Sequence, residues 1–345
     1  MRFRDFPPTL THRPHARHLD EQAALVCRSH GSEPQASGRA TSPLSYRWIA
    51  KKRGRPRLLE IPCPGLKRIQ RQILETILNR IPAHPSAHGF RAGCSITSNA
   101  LPHCGKDIVL RFDLADFFPS IPIGRVTRLF RTIGYPVMVA RLLTGLCTTL
   151  LPHDAWDARP NAPLDGSDHA IWQRYAARHL PQGAPTSPAL ANLAAYRLDK
   201  RLSSLAQRLK ADYTRYADDL AFSGSQEFAQ HHRRFSELVA RIVTEEEFAL
   251  QFRKTRIMRQ SGQQSVAGVV VNLRPNVRRK VFDQLKAILT NCLRHGPTNQ
   301  NRHQHPDFHA HLAGRVAQIA ALNPSRGQKL WAMFDRVDWA GLHQG

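Results

Sequence analysis

The pattern of apolar and polar residues predicts that strands and helices alternate along this chain. Residues 108–112 (IVLRF) form a short, nearly continuous apolar run, which is typical of a buried strand. Residues 213–223 (YTRYADDLAFS) place β-forming side chains on both sides of a short acidic turn, so they predict a β-hairpin. Residues 264–272 (QSVAGVVVN) are also rich in β-forming residues and predict a further strand.

A second hairpin is predicted nearer the N-terminus. Residues 46–50 and 58–62 are strand-like segments, and the basic turn between them contains Gly54 and Pro56. A basic tip of this kind is often only solvated, but it can also grip phosphate groups. Both interpretations stay open on the sequence alone.

Apolar residues three and four positions apart predict helices in most of the remaining chain. These helices cover residues 67–78, 124–132, 136–149, 188–202, 230–247 and 309–321, with a basic helical region beginning at residue 276. Ser95 is expected to cap a short helix, and Thr186 or Ser187 to cap the helix that starts at Pro188. Residues 151–170 are polar, with Pro, Gly and Asp, and are expected to form a loop insertion.

The charge of the chain narrows the choice of partners. Lys and Arg number 50 against 26 Asp and Glu in 345 residues, which gives a net charge of +24. A folded protein this basic usually binds a polyanion, so nucleic acid is the first candidate and an anionic membrane surface the second. An apolar content of 41% provides a substantial core and excludes a wholly disordered chain. Residues 1–44, rich in Arg, His and Pro, are predicted to be a flexible basic extension.

The remaining bulk features favour a cytoplasmic protein. The six cysteines show no CxxC pairing and no regular framework, so free thiols in a reducing compartment are expected. The N-terminus lacks the apolar run of a signal peptide, and no segment has the apolar length of a membrane span. We therefore expect no membrane partner.

Three carboxylates carry the candidate chemistry. Asp218 and Asp219 lie in the predicted acidic turn, and that pair alone is more often a surface turn than a catalytic one. Asp113, however, ends the predicted buried strand, where an unpaired carboxylate is costly and a metal or an Arg partner makes it tolerable. One strand-end carboxylate and a distant hairpin pair suit a site for two Mg²⁺ ions, which phosphoryl transfer from a nucleoside triphosphate requires. With the basic charge, these residues favour a template-directed nucleic-acid polymerase.

Three segments that contain or separate these carboxylates resemble sequence blocks of the reverse transcriptases, most closely the bacterial retron enzymes. RFDLADFFPSI and YTRYADDLAFSG resemble the two catalytic blocks, and LPQGAPTSP resembles the template and nucleotide block. The segment from Asn99 to His103 (NALPH) resembles the retron NAxxH motif, and Val266-Ala267-Gly268 resembles the family's VTG, with Ala in place of the usual Thr. The resemblance extends from about residue 46 to the C-terminal helices.

The resemblance implies an α+β, right-hand polymerase fold with an antiparallel palm sheet and a helical thumb. Residues 45–272 would be fingers and palm, and residues 273–345 an RNA-binding thumb. Asp113, Asp218 and Asp219 would be the catalytic, metal-binding carboxylates for two Mg²⁺ ions, with Mn²⁺ as the alternative ion, and Asp219 in the supporting role. The residues implied to contact the incoming nucleotide are Leu114, Phe118 as an aromatic gate against the ribose 2′-OH, Gln182, Gly183, Arg57 and Lys254.

The resemblance also implies a function for the whole protein. It would be an RNA-directed DNA polymerase that uses dNTPs to copy a structured non-coding RNA into single-stranded DNA. Synthesis would start from a 2′-OH of that RNA, and the protein would act in anti-phage defence with a separate effector or toxin protein. Two alternatives stay open: a reverse transcriptase of the group II intron or CRISPR-associated kind, and a non-catalytic RNA-binding protein on a polymerase fold.

Overall fold

A computed structural model describes residues 43–50, 56–160 and 168–339 of the chain. The predicted flexible extension lies outside the described residues except at its last two positions, where the first strand already begins at Leu44. The tip of the basic turn, residues 51–55, also lies outside them.

A four-stranded antiparallel sheet forms the centre of the fold. Its strands are β3 (Ile108–Asp113), β4 (Asp212–Tyr216), β5 (Asp219–Gly224) and β6 (Arg256–Arg259), in the order β4-β5-β3-β6. Both the apolar strand and the acidic hairpin predicted from the sequence are therefore confirmed. Because side chains alternate along a strand, one face of this sheet carries apolar residues that enter the main core, namely Leu110, Phe112, Leu220 and Phe222.

Among the described residues, the opposite face of the sheet is covered at one end only. There Val109 and Ala221 pack under a small hairpin made of β7 (Ser265–Val266) and β8 (Val269–Val270). The single long strand expected over residues 264–272 is thus wrong. The chain reverses at Ala267 and Gly268, whose φ angles of 46° and 85° belong to a tight turn. The uncovered end of this face carries the charged residues of β3 and β5.

Helices connect the strands and pack around the sheet. They are α1 (Pro64–Thr76), α2 (Ile96–Ala100), α3 (Ile123–Ile133), α4 (Val137–Cys147), α5 (His153–Asp157), α6 (Asp168–Ala176), α7 (Ser187–Ala194), α8 (Tyr196–Arg208), α9 (Gln226–Gln230) and α10 (His232–Glu245). Amphipathic faces of α1, α3, α4, α7, α8 and α10 enclose the main core, as their periodicity predicted.

One of the predicted helix caps is confirmed and the other is wrong. The Ser95 hydroxyl accepts the backbone N–H of Ser98, and the Ser98 hydroxyl accepts that of Ser95, so the predicted cap is present as a reciprocal capping box. The predicted cap of α7 is wrong, because Thr186 and Ser187 both fail to supply it. Thr186 stands at the cap position but has helical backbone angles (φ −79°, ψ −25°), whereas a capping residue needs an extended backbone.

The predicted N-terminal hairpin is confirmed by the antiparallel pair β1 (Leu44–Ile49) and β2 (Arg57–Pro62). Helices α5 and α6 pack against it, in a small core that contains several aromatic side chains. Residues 151–170 were expected to be a loop insertion, but α5 lies within them and α6 begins at Asp168. Trp48 of β1 stacks edge-on against Trp156, and its indole N–H donates to the Ala155 carbonyl at 2.9 Å.

The C-terminal region is a bundle of three helices with a separate core. Its helices are α11 (Arg279–His295), α12 (Phe308–Leu322) and α13 (Pro324–Phe334), the last of which the sequence analysis did not predict. Their shared core includes Leu289, Leu312, Val316, Leu330 and Phe334. The division into fingers and palm over residues 45–272 and thumb over residues 273–345 remains a prediction.

Candidate active site

Strand pairing brings the three predicted carboxylates to one end of the sheet. Asp113 is the last residue of β3, Asp219 is the first of β5, and the two are direct partners across the strands. Opposed residues of an antiparallel pair point to the same face, which here is the uncovered one. Asp218 lies in the turn before Asp219, and its carbonyl accepts the backbone N–H of Leu114 at 2.8 Å. The two segments, about a hundred residues apart in sequence, are thus held together at their ends.

The turn that carries Asp218 is a two-residue hairpin turn. Only Ala217 and Asp218 separate the paired residues Tyr216 and Asp219, and Ala217 has a φ of 57°. Gly89 packs directly against this turn, since a Cβ on Gly89 would lie 2.5 Å from the Ala217 nitrogen. A side chain at that position would push the turn, and with it Asp218, out of place.

Two cations lie against the carboxylates on the uncovered face. Arg111, two residues before Asp113 on β3, makes a bidentate pair with Asp219, with distances of 3.2 Å and 2.6 Å. Lys254 ends a 3₁₀ turn, Phe252–Lys254, just before β6, and its Nζ lies 2.7 Å from Asp113 Oδ1. Asp113 and Lys254, which were predicted as site residues in separate roles, therefore contact each other.

Burial and mutual repulsion govern the ionisation of the turn. Burial raises the pKa of the Asp218 carboxyl above its ordinary value, and the charge of Asp113 raises it further. Burial also raises the pKa of Asp219, although the Arg111 guanidinium opposes that shift. A cation bound between these carboxylates would favour their charged forms and lower both pKa values.

The donor set fits Mg²⁺ in its chemistry. Asp113 and Asp218 supply hard carboxylate oxygens from two chain segments, and Mg²⁺ needs only one or two such ligands because it keeps several waters. Among the residues that the structure describes, no group of three acidic, His or Cys side chains is already arranged around one point. Both carboxylate oxygens of Asp219 are engaged by Arg111, whereas the contact of Lys254 with Asp113 is to one oxygen, Oδ1. Asp113 and Asp218 are therefore the better metal-binding candidates.

An aromatic surface lies beside the carboxylates. Phe118 is half-buried and packs against Phe117, with ring centroids 5.6 Å apart, and against Phe90, at 6.1 Å. Phe90 in turn lies 6.4 Å from the ring of Tyr216, which immediately precedes the tight turn. Sequence reasoning singled out Phe118 alone, whereas the fold joins it to two further rings.

The nucleotide loop predicted at Gln182 and Gly183 is bound to the N-terminal hairpin. Glu60 of β2 is fully buried, and its carboxylate accepts the Gln182 N–H at 3.1 Å and contacts His179 Nε2 at the same distance. Gly183 has a φ of 143°, and a Cβ there would lie 2.9 Å from the Glu60 carbonyl oxygen. Only glycine therefore fits at this crossing. Arg57 lies exposed at the start of the same strand as Glu60.

Sequence reasoning missed the ion pair beneath the acidic turn. Arg215 and Asp199 are both fully buried, and the Arg215 guanidinium donates to both oxygens of Asp199, at 2.8 Å and 2.7 Å. The same guanidinium donates to the Ala217 carbonyl at 3.0 Å and so fixes the turn from below. The sequence signal for this pair was an Arg among strand-forming residues. That signal does not identify its partner, Asp199, which lies on α8.

His103, the last residue of the NALPH segment, anchors both strands of the hairpin. Its Nδ1 lies 2.7 Å from the Ser223 hydroxyl, and its Nε2 lies 2.7 Å from that of Thr214. Thr214 donates its own proton to the Asn99 carbonyl, so Nε2 is the nitrogen that carries hydrogen and Nδ1 accepts from Ser223. Burial lowers the pKa of His103 to about 4, which keeps the ring neutral.

Comparison with known proteins decides the family of this site. A sequence model of the family described as reverse transcriptase (RNA-dependent DNA polymerase) matches residues 49–278, which include the whole sheet and all three carboxylates. This chain belongs to the reverse transcriptase family. The α+β, right-hand polymerase fold expected from the sequence is the fold of that family, and the antiparallel sheet with its covering helices agrees with it.

Curated relatives place the chain among the retron-type members of the family. The retron Mx65 reverse transcriptase of Myxococcus xanthus is 39% identical over 82% of this chain and 62% of that protein. The retron Ec86 reverse transcriptase of Escherichia coli is 30% identical over 72% of this chain and 70% of that protein. The match thus spans less than two thirds of the Mx65 protein's own length.

A solved structure aligns with this chain at low similarity. A solved telomerase from Candida albicans, in complex with a TWJ fragment of telomeric RNA, aligns with 91% of this chain and 61% of that chain. The identity is 9% and the TM-score is 0.43, below the level at which a shared fold can be inferred.

Within the described ranges, no helix has the length and apolar character that crossing a bilayer requires. The five cysteines in those ranges are all free.

Proposed function

We propose that this protein is an RNA-directed DNA polymerase. The observation that carries the proposal is the convergence of Asp113 with Asp218 and Asp219 at the open end of one sheet. Membership of the reverse transcriptase family supports it, and the net charge of +24 suits a nucleic-acid substrate. The rival interpretation as a non-catalytic RNA-binding protein is weakened because all three carboxylates are present.

In this proposal Asp113 and Asp218 hold the divalent ions, and Arg111 holds Asp219 in a supporting orientation. Two Mg²⁺ ions, or Mn²⁺ in their place, would activate the attacking hydroxyl and stabilise the leaving pyrophosphate. Lys254 would exchange its contact with Asp113 for the triphosphate, because a cation bound at Asp113 would repel the ammonium and the triphosphate offers it several negative charges.

The remaining predicted residues position the nucleotide. The Leu114 backbone is tied to Asp218, so the nucleotide would meet the carboxylates and this segment together. Gln182 and Gly183 would line its path, and Arg57 would contact the triphosphate from the N-terminal hairpin. Phe118 would lie under the sugar and crowd a ribose 2′-OH, which is the group that distinguishes the two kinds of nucleotide.

The finer proposal concerns the template. We propose that the template is a structured non-coding RNA, that its DNA copy is single-stranded, and that synthesis begins at an RNA 2′-OH. We also propose a role in anti-phage defence, together with a separate effector protein. The similarity to retron reverse transcriptases supports each of these points.

Primer extension tests the polymerase proposal. The full chain is incubated with an RNA template, an annealed DNA primer, the four dNTPs and Mg²⁺, and Asp218→Asn is run beside it. We expect Mg²⁺-dependent extension by the wild type, none by the variant, and equal RNA binding by both. Extension by Asp218→Asn and by Asp219→Asn alike would refute the metal assignment, and RNA binding without any synthesis by the wild type would favour the non-catalytic alternative.

A second experiment tests the role of Phe118. Phe118→Ala is expected to incorporate rNTPs that the wild type rejects, whereas Phe118→Tyr, which keeps the ring, is expected to retain the dNTP preference. The ratio of dNTP to rNTP incorporation is measured on the same template. An unchanged ratio in Phe118→Ala would rule out the gate.

A further inference from the structure

The C-terminal bundle contains a cleft outside the carboxylate site. Helices α11 and α12 and the segment that joins them enclose about 380 Å³. The residues that line this cleft include Asn291, Gln300, Arg302, His303, His305 and Arg315. A volume of this order accommodates one nucleotide unit rather than a stretch of duplex.

The electrostatics of the cleft favour an anion. Its lining contains two arginines and three histidines but no Asp or Glu. Arg315 is half-buried, and burial lowers the pKa of its guanidinium. Among the described residues no carboxylate forms an ion pair with Arg315. A guanidinium partly removed from water without an anion is costly, and a phosphate group would offset that cost.

The cleft also offers a flat stacking surface. The rings of His305 and His311 are stacked, with centroids 3.9 Å apart and an interplanar angle of 14°. Phe308 continues the same orientation, at 17° to His311. Burial and the neighbouring positive groups lower the pKa of His311, so its ring is a neutral π surface near pH 7. Nucleobases stack on such surfaces, and the amides of Asn291 and Gln300 can pair with a base edge.

Arg315 connects this cleft to the palm. A second cavity, of about 290 Å³, lies between the bundle and the β7–β8 hairpin and is lined by Ala267, Gly268, Arg278 and Arg315. Arg315 lines both cavities and therefore lies between the histidine stack and that hairpin.

We propose that the cleft binds one unpaired nucleotide of the RNA, with its base on the His305–His311 stack and its phosphate on Arg315. The proposal rests on RNA being the substrate of the protein. It specifies how the C-terminal bundle selects single-stranded over paired segments, since a base that is paired in a duplex cannot enter the stack.

Fluorescence anisotropy with the full chain tests the cleft. The probes are a labelled 12-nucleotide oligo(A) RNA and an abasic ribose-phosphate chain of the same length. We expect wild type to prefer oligo(A) by about fivefold or more, the range of one stacked base. His311→Ala should remove that preference, and Arg315→Gln should weaken both probes by about tenfold. Arg294→Gln, an exposed charge at the end of α11, is the matched control and should weaken both by about twofold at most.

The outcomes separate this proposal from the polymerase proposal. Equal losses in Arg315→Gln and Arg294→Gln, or a retained oligo(A) preference in His311→Ala, would refute the cleft. Primer extension by the same wild-type preparation is measured in parallel, so a failure of synthesis is seen independently of RNA binding. If Arg315→Gln does not fold, Arg315→Lys keeps the charge and loses the planar fork. It should then weaken the binding of both probes by more than Arg294→Gln does, and a loss no larger than that of Arg294→Gln would count against the site.

Discussion

Ion pairs on the two faces of the acidic hairpin differ in how deeply they are buried. On the core face, Arg215 and Asp199 are both 0% exposed and make a bidentate pair. On the open face, Lys254 and Asp113 are 56% and 18% exposed, and Arg111 and Asp219 are 26% and 15% exposed. Ion pairs therefore lie on both faces, but only those on the open face are in contact with solvent.

The difference separates architecture from chemistry. A buried pair cannot exchange partners, because breaking it leaves an uncompensated charge in a medium of low dielectric constant. The pair of Lys254 with Asp113 is half-exposed and therefore screened and weak, so an arriving metal ion or triphosphate can displace the lysine. The closed face thus holds the turn in place while the open face remains free to react. Four predictions test that contrast.

The largest effect is expected on the open face, in activity. Asp218→Asn should reduce DNA synthesis by about 10³-fold or more, because it removes a metal ligand worth several kcal/mol in the transition state. Its free energy of unfolding should rise, since burial and Asp113 raise the pKa of Asp218 and its charge therefore destabilises the fold. Primer extension and urea unfolding at pH 7 measure the two effects. A variant that is both inactive and less stable would show that Asp218 is structural.

On the closed face the main effect is expected in stability. Asp199→Asn should lower the free energy of unfolding by about 3–5 kcal/mol, because it leaves the buried Arg215 charge unpaired. Asp212→Asn is the matched control. Asp212 lies on β4 and pairs with Lys106 at 2.7 Å but is 40% exposed, so its loss should be under about 1 kcal/mol. Similar losses in the two variants, measured by urea unfolding, would contradict the contrast between the faces.

His103 tests the covered end of the sheet through pH. Its folded pKa of about 4 lies below the unfolded value near 6.5. As pH falls from 6.5 to 4 the unfolded chain takes up a proton that the folded chain does not, so stability is lost in that window. The contribution is about 3 kcal/mol. The stability difference between wild type and His103→Gln, compared at pH 7.5 and 4.5, should shrink as pH falls, and a constant difference would exclude a neutral, buried ring.

The smallest effect on stability is expected at Lys254. Lys254→Gln should change the free energy of unfolding by less than about 1 kcal/mol, because the pair is half-exposed. The KM for dNTPs should rise by about tenfold if the ammonium contacts the triphosphate. Arg253→Gln, in the same turn, controls for charge alone. An equal rise in both variants would mean that net charge, and not a contact, is responsible.

Local patterns were sufficient for much of the fold. The apolar strand at β3 and the acidic hairpin follow from composition and alternation over a few residues, as does the Ser95 cap. Errors arose where the outcome depended on distant groups. Residues 264–272 were expected to form one strand, yet Ala267 and Gly268 reverse the chain. Residues 151–170 were expected to form a loop insertion, yet Trp156 lies on a helix and packs against Trp48 of the first strand.

The candidate site shows the same contrast between what local sequence predicts and what depends on distant residues. The sequence by itself determined the three carboxylates, the glycine loop and the net charge, because residue type and local spacing carry that information. Only the tertiary structure decided which partners those groups meet: Arg111 for Asp219, Lys254 for Asp113, and the buried Asp199–Arg215 pair beneath the turn. Such contacts join residues that are far apart in the chain, and the cost of leaving a buried charge unpaired selects them after the core has formed.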